Sequence, residues 1–208
     1  MLAAKISRRQ KEILRHKDEV LNVAADLFYG QGFAKTTVQE IAQAAQFGIG
    51  TIYRLFPGGK DALYRALQER VVAFFEETVE TELAAATTES EIVRRYIRAG
   101  ATVYARYPRE MTMYVRDSVG LSTHLGRGLD SDLASRYMAC AEPAAKALDR
   151  GARMGLFREV DPELAIICLR AVMNACLITW LDDPRQEALD EHIDFMEQLF
   201  FHGVTRRE

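Results

Sequence analysis

Only three cysteines occur in 208 residues, Cys140, Cys168 and Cys176, and no two have C-x-x-C spacing. An odd, unclustered set excludes a disulfide framework and a thiolate zinc site, and predicts reduced thiols in a cytoplasmic protein. Cys168 and Cys176 stand eight apart on one predicted helix, too far along it for an intrachain disulfide. The four histidines are scattered. No glycine-rich phosphate loop, G-x-S-x-G or H-E-x-x-H is present, so no catalytic site, metal or cofactor is expected. The acidic run Asp190-Glu191-His192-x-Asp194 fans around a helix rather than converging on an ion. Strand-like alternation, internal repeats and low-complexity tracts are also missing. Met1-Leu2-Ala3-Ala4 runs directly into charge, without the apolar stretch of an export signal. The one long apolar run, Leu164–Leu181, carries Arg170 and Asn174 near its middle, and charge there is costly in lipid. No membrane partner is expected.

Charge is divided unevenly. Residues 1–60 hold nine Lys+Arg against five Asp+Glu, a net of +4, and residues 61–208 hold 18 against 25, a net of −7. A basic head on an acidic body suits attraction to phosphate at one end only. Lys5, Arg8, Arg9, Lys11, Arg15 and Lys17 form its richest patch. Two readings are open for it: a mobile arm that touches DNA, or a disordered, solubilising leader.

Thr37–Phe56, TVQEIAQAAQFGIGTIYRLF, is the most informative stretch. Thr37 and Glu40 make a Thr-x-x-Glu capping box. Val38, Ile41, Ala42 and Ala45 follow as one apolar stripe, with small residues where a second helix can cross. Gln46-Phe47-Gly48 predicts a tight turn, and Ile49–Phe56 a second helix with Ile52 and Phe56 inward. Thr51 and Arg54 then face outward, flanked by Tyr53, and Gly50 permits close approach to a phosphate or base edge. Two short helices around a turn are the build of a DNA-reading helix-turn-helix, or of an ordinary helical hairpin. The surroundings favour the first. A long helix precedes, with Val20, Ala24, Leu27 and Phe28 inward and Gly30 and Gly32 at its end, and Phe33 packs back as the chain turns. Another long helix, about Lys60 to Ala86, follows.

The segments AADLFYGQGFAKTTVQEIAQAA, GTIYRLF and KDALY, in this order and spacing, resemble the tetracycline-repressor (TetR) family of bacterial regulators. The resemblance is close over about Val20 to Tyr64. It implies an all-α protein, with an N-terminal three-helix helix-turn-helix head joined to a larger helical ligand-binding and dimerisation domain. It also implies a homodimer on double-stranded operator DNA, with a small-molecule effector that changes the separation of the two heads. Carried over by residue, Thr37 caps its helix and touches a phosphate, Thr51 and Tyr53 touch phosphates or bases, and Lys60 meets the backbone. Arg54 is the candidate base reader, because guanidinium pairs bidentately with guanine.

The chain departs from the family pattern at the turn. Where Gly, a β-branched residue and Ser are common, it has Gln46, Phe47 and Gly48. Loss of Ser weakens the cap of the second helix, and makes Gln46 a candidate reader. Ile49 stands where a polar residue is frequent. Pro57-Gly58-Gly59 is one residue longer than the family's connection, which lengthens the reach required of Lys60.

The rest reads as helices: Glu89–Tyr107, Glu110–Val119, Ser131–Met154, Pro162–Leu181 and Gln186–Phe201. Pro108, Gly126, Gly128, Gly155, Asp161-Pro162 and Asp182-Asp183-Pro184 punctuate them. Leu164–Leu181 is apolar on nearly every side, so it must be buried on most sides. One face on its own core and one on a partner subunit accounts for that; a purely intrachain core is the alternative. Arg170, Leu177, Leu189, Ile193, Met196 and Phe200 are the interface candidates. An effector pocket is expected between the connecting and middle helices, with Phe74, Tyr104, Met111, Tyr114, Tyr137, Asn174 and Trp180 as lining candidates. A hydrophobic or aromatic effector fits this set. The expected domains are residues 1–60 for arm and DNA-binding head and 61–208 for ligand binding and dimerisation. The functional expectation is a sequence-specific transcriptional regulator and not an enzyme, a repressor released from a palindromic operator. Its alternatives are a ligand-independent DNA-binding regulator and a helical protein-interaction adaptor.

Overall fold

The computed structural model describes residues 7–117, 130–182 and 188–205. Ten helices account for nearly all of these: α1 (Arg8–Gln31), α2 (Val38–Ala44), α3 (Ile49–Leu55), α4 (Lys60–Leu83), α5 (Glu89–Arg106), α6 (Pro108–Asp117), α7 (Ser131–Ala139), α8 (Glu142–Arg153), α9 (Pro162–Asp182) and α10 (Leu189–Val204). The chain forms two compact units, Met1–Arg70 and Val71–Glu208, with the division inside α4.

In the first unit, α1 begins at a capping box. Ser7 Oγ accepts from the Gln10 amide, and the Gln10 side chain accepts from the Ser7 amide. Arg8 to Lys17 are therefore helical turns of α1 rather than an extended arm; Lys5 lies outside the described residues. Gly32 ends the helix with φ 87° and donates to the Phe28 carbonyl at 3.0 Å. Val20, Ala24 and Phe28 of α1, Ile41 and Ala42 of α2, Ile52 of α3, and Leu63 and Leu67 of α4 make the core. Leu27 is only half-buried. Phe33 folds back as expected, its ring centroid 5.3 Å from Phe28 and 5.0 Å from Tyr64.

In the second unit, α5 is central and packs on α8, α9 and α10. Its core includes Tyr96, Ile97, Leu148, Leu169, Leu177 and Met196. Ion pairs tie the helices together: Arg136 Nε and Nη2 hold both Glu76 oxygens at 2.9 and 2.5 Å, and Arg150 does the same to Glu89 at 2.8 and 2.8 Å. The buried Glu197 of α10 is paired with Arg94 and Arg98 of α5.

The helix expected over Ser131–Met154 is two helices. Pro143 sits in the first turn of α8, where its missing N–H is harmless. In a continuous helix its ring would collide with the carbonyl four residues back. Pro108 likewise opens α6 as well as ending α5. The expected ends at Val119 and Gln186 lie outside the described residues.

Among the described residues α9 is the one helix long and apolar enough to span a membrane, with mean hydropathy 2.0 over its most apolar stretch. Its two sides differ. Ala165, Ile166, Leu169, Arg170, Met173 and Leu177 face the core, while Leu164 and Cys168 are exposed.

Candidate nucleic-acid interface and effector cavity

The capping box at α2 is complete. The Thr37 amide donates to Glu40 Oε2 at 2.7 Å, and the Glu40 amide donates to Thr37 Oγ1 at 3.2 Å. These bonds, first that of the Thr37 amide and then that of its hydroxyl, hold the Glu40 carboxyl below the ordinary carboxylate range. Gln31 Nε2 also reaches Glu40, at 3.4 Å. The turn then closes through the Gln46 amide to the Gln43 carbonyl (3.1 Å) and the Phe47 amide to the Ala42 carbonyl (2.9 Å). Gln46 has φ 58°, the one described non-glycine residue in the left-handed region. Its backbone thus belongs to the turn, with its side chain exposed to solvent. Gly48 is the N-cap of α3 and supplies no side-chain bond.

Ile52, Leu55 and Phe56 anchor α3 inward. The opposite side presents Ile49, Gly50, Tyr53 and Arg54 to solvent, with Thr51 half-exposed. A methyl group at Gly50 would meet nothing within 4 Å, so the glycine leaves this surface bare. Tyr53 is 50% exposed, which excludes a core role. Its ring rests on the turn after α3: a Cβ at Gly59 (φ 65°) would lie 3.1 Å from Tyr53 Cε1. No described carboxylate pairs with Arg54.

Lys60 does not extend from this surface. Its Nζ donates to the Phe33 carbonyl at 2.9 Å and the Ala34 carbonyl at 3.4 Å, and lies 4.4 Å from the Phe33 ring centroid. In the chain without DNA the ammonium fastens the α1–α2 connection. Sequence reasoning put Arg9 and Lys17 in a basic arm or leader and did not place them beside α3. Arg9, His16 and Lys17 of α1 line one groove of about 560 Å³ with Arg54, and His16 stacks edge-on against Phe47 at 5.0 Å. The signal was Ser7-x-x-Gln10, which starts the helix early enough to bring these residues alongside.

In the second unit, α4, α5, α6, α7 and α9 enclose a cavity of about 30 Å³, room for a water or two. Its walls are Val71, Phe75, Tyr96, Gly100, Val103, Tyr104, Met111, Tyr137, Arg170, Met173 and Asn174. Tyr104, Met111, Tyr137 and Asn174 were expected there. Phe74 points aside and packs edge-on against Tyr107 at 5.3 Å, with Phe75 in its place. Tyr114 lies behind Tyr137, ring centroids 6.4 Å apart, and Trp180 is half-buried further along α9; neither lines the cavity. Tyr104 donates its hydroxyl to Asn174 Oδ1 at 2.6 Å. Burial raises the phenols of Tyr96, Tyr104 and Tyr137 above their ordinary value, and the Arg170 charge offsets this in part. All three remain protonated donors at neutral pH.

Arg170 was expected at a subunit interface; it is 4% exposed and lines the cavity. Leu177, Ile193 and Met196 are likewise buried within their own unit, while Leu189 and Phe200 are half-buried. The apolar stripe legible in the sequence is the inner face of these helices. Their outer face carries Leu164, Phe195 and Leu199, 59%, 57% and 50% exposed.

Residues 20–67 match the family model described as bacterial regulatory proteins, tetR family. The HTH-type transcriptional repressor KstR2 of Rhodococcus jostii (strain RHA1) is 29% identical over 161 residues, 74% of this chain and 74% of that protein. Among solved structures, the ketosteroid transcriptional regulator KstR2 of Mycobacterium tuberculosis superposes with a TM-score of 0.75 at 17% identity, covering 100% of both chains. AibR, solved with isovaleryl coenzyme A and operator DNA, superposes with a TM-score of 0.72 at 19% identity, over 88% of this chain and 97% of that one. With a DNA-binding head of the tetR family matched over residues 20–67 and the all-helical fold of solved tetR regulators shared along the chain, this protein resembles the DNA-binding transcriptional regulators of that family.

Proposed function

We propose that the chain acts in the cytoplasm as a homodimeric repressor that leaves a palindromic operator when a small effector enters the α4–α9 cavity. The observation that carries this reading is the surface of α3, where Thr51, Tyr53 and Arg54 stand free beside cations of α1. Arg54 suits a guanine edge, while Thr51, Tyr53, Arg9 and Lys17 suit phosphates. Thr37 and Gly48 flank the same surface. Dimerisation places two heads about 34–36 Å apart, one turn of DNA. Leu164, Phe195 and Leu199 supply an apolar face on α9 and α10 for the partner subunit.

The cavity walls are mostly aliphatic and aromatic, which favours an effector with an apolar body. The name of the Rhodococcus relative supports repression, and the ligand in the AibR structure makes acyl thioesters sensible first effectors to try. The test is selection of random duplex DNA on the purified protein at two salt concentrations, then addition of candidate effectors. An enriched palindrome, bound more weakly at high salt and released by an effector, is expected. Enrichment without release by any effector would favour a ligand-independent regulator; no enrichment would count against DNA reading by α3.

A further inference from the structure

Arg170 is a buried cation without a counter-ion among the described residues. It is 4% exposed, and no described carboxylate pairs with it. Its Nη1 donates to the Met138 thioether at 2.9 Å, and its guanidinium lies 4.1 Å from the Tyr137 ring centroid. Both are weak substitutes for an anion. Its Nε and Nη2 have no hydrogen-bond partner among the described residues. Those two donors form the side-on fork of the guanidinium, the one that Arg136 and Arg150 each use to grip a carboxylate in this same molecule. An arginine cannot shed its proton to escape burial, so leaving the fork empty is costly.

The surroundings define what would fill it. One helical turn along α9, Asn174 accepts from Tyr104, and the remaining wall is largely apolar. Met173, between them, has its terminal methyl in the space left by Gly100. A methionine end is adaptable, and its movement would enlarge a cavity now too small for an organic ligand. Building on the proposed effector site, we infer that the effector is an organic anion: an apolar body carrying a carboxylate that the Arg170 Nε–Nη2 fork binds bidentately.

The experiment uses the full-length wild-type protein, a panel of carboxylates (hexanoate, octanoate, phenylacetate) and the corresponding neutral amides. Binding is read by calorimetry and by melting temperature, and operator release in parallel. At least one carboxylate should bind about tenfold or more tighter than its amide. Arg170→Leu should abolish that preference, and should raise the melting temperature of the free protein because an unpaired buried charge is removed. Arg170→Lys, which keeps charge without the fork, should retain part of the preference. Equal binding of acid and amide to the wild type overturns the anion anchor, as does an Arg170→Leu protein that keeps the preference. Arg170→Leu melting below the wild type would make the arginine a structural element and also overturn it. An amide that binds and releases operator leaves the effector site standing without its anion; binding by neither class overturns the carboxylate anchor, and the effector site then rests on the acyl thioester trial alone.

Discussion

Gly100 of α5 makes room for Met173 of α9: a methyl group at position 100 would overlap Cε of Met173. Gly100→Ala must therefore push the flexible thioether into the cavity. The helix gains propensity, about 0.8–1 kcal/mol, against an overpacking cost of about 1–3 kcal/mol. A small net loss of stability is expected, with a larger loss of effector response. Urea melts and operator release measured together check this; unchanged effector response would separate Met173 from ligand entry.

Arg54→Ala should relax base preference at one position in each half-site, at a cost of about 1–3 kcal/mol per contact. Selection of random DNA on the variant reads this directly. A uniform loss over all sequences, with the preferred site unchanged, would reassign Arg54 to a phosphate.

Gln46 occupies the left-handed region at φ 58°, which costs an L-residue about 1–2 kcal/mol. Gln46→Gly should thus stabilise the head by up to about 1 kcal/mol, the remainder lost to unfolded-chain entropy. If DNA specificity survives, Gln46 is a turn residue; if one base preference disappears, the exposed amide also reads.

Lys60→Met removes the ammonium from the Phe33 and Ala34 carbonyls. A loss of about 1–2 kcal/mol of stability is expected, with no change in the salt dependence of DNA binding. A slope shallower by about 0.9 would instead mean that Lys60 swings out to one phosphate in the complex.

Glu40, Glu76 and Glu91 all titrate below the ordinary value of 4.5, through the Thr37 amide, the Arg136 guanidinium and the Thr87 amide respectively. A carboxylate with a lowered folded value stabilises fully above its unfolded value, and loses that contribution as pH falls through the folded one. The melting temperature should hold from neutrality to about pH 4.5 and fall below it. Glu76→Gln should shrink the acid-side fall, and Arg136→Gln should do the same; an unchanged profile in both would discount the pair.

Much of the head is determined by sequence alone, because its signals are local. Capping boxes at Ser7 and Thr37, Gly32 after α1 and the stripe Val38, Ile41, Ala42 each act within a few residues. Helical arithmetic on 49–56 is enough to separate Ile52 from Arg54. What tertiary structure alone decided is which of two apolar faces meets which neighbour. Periodicity found the stripe through Ile193 and Met196 but not whether it faced inward or toward a partner. It likewise assigned Arg170 to a partner interface and Asn174 to the pocket, and only packing brought both to one cavity under α5 and α7. The inward turn of Lys60 had the same cause. A side chain's reach is set by where chain segments 26 and 27 residues away come to lie, and only packing determines that.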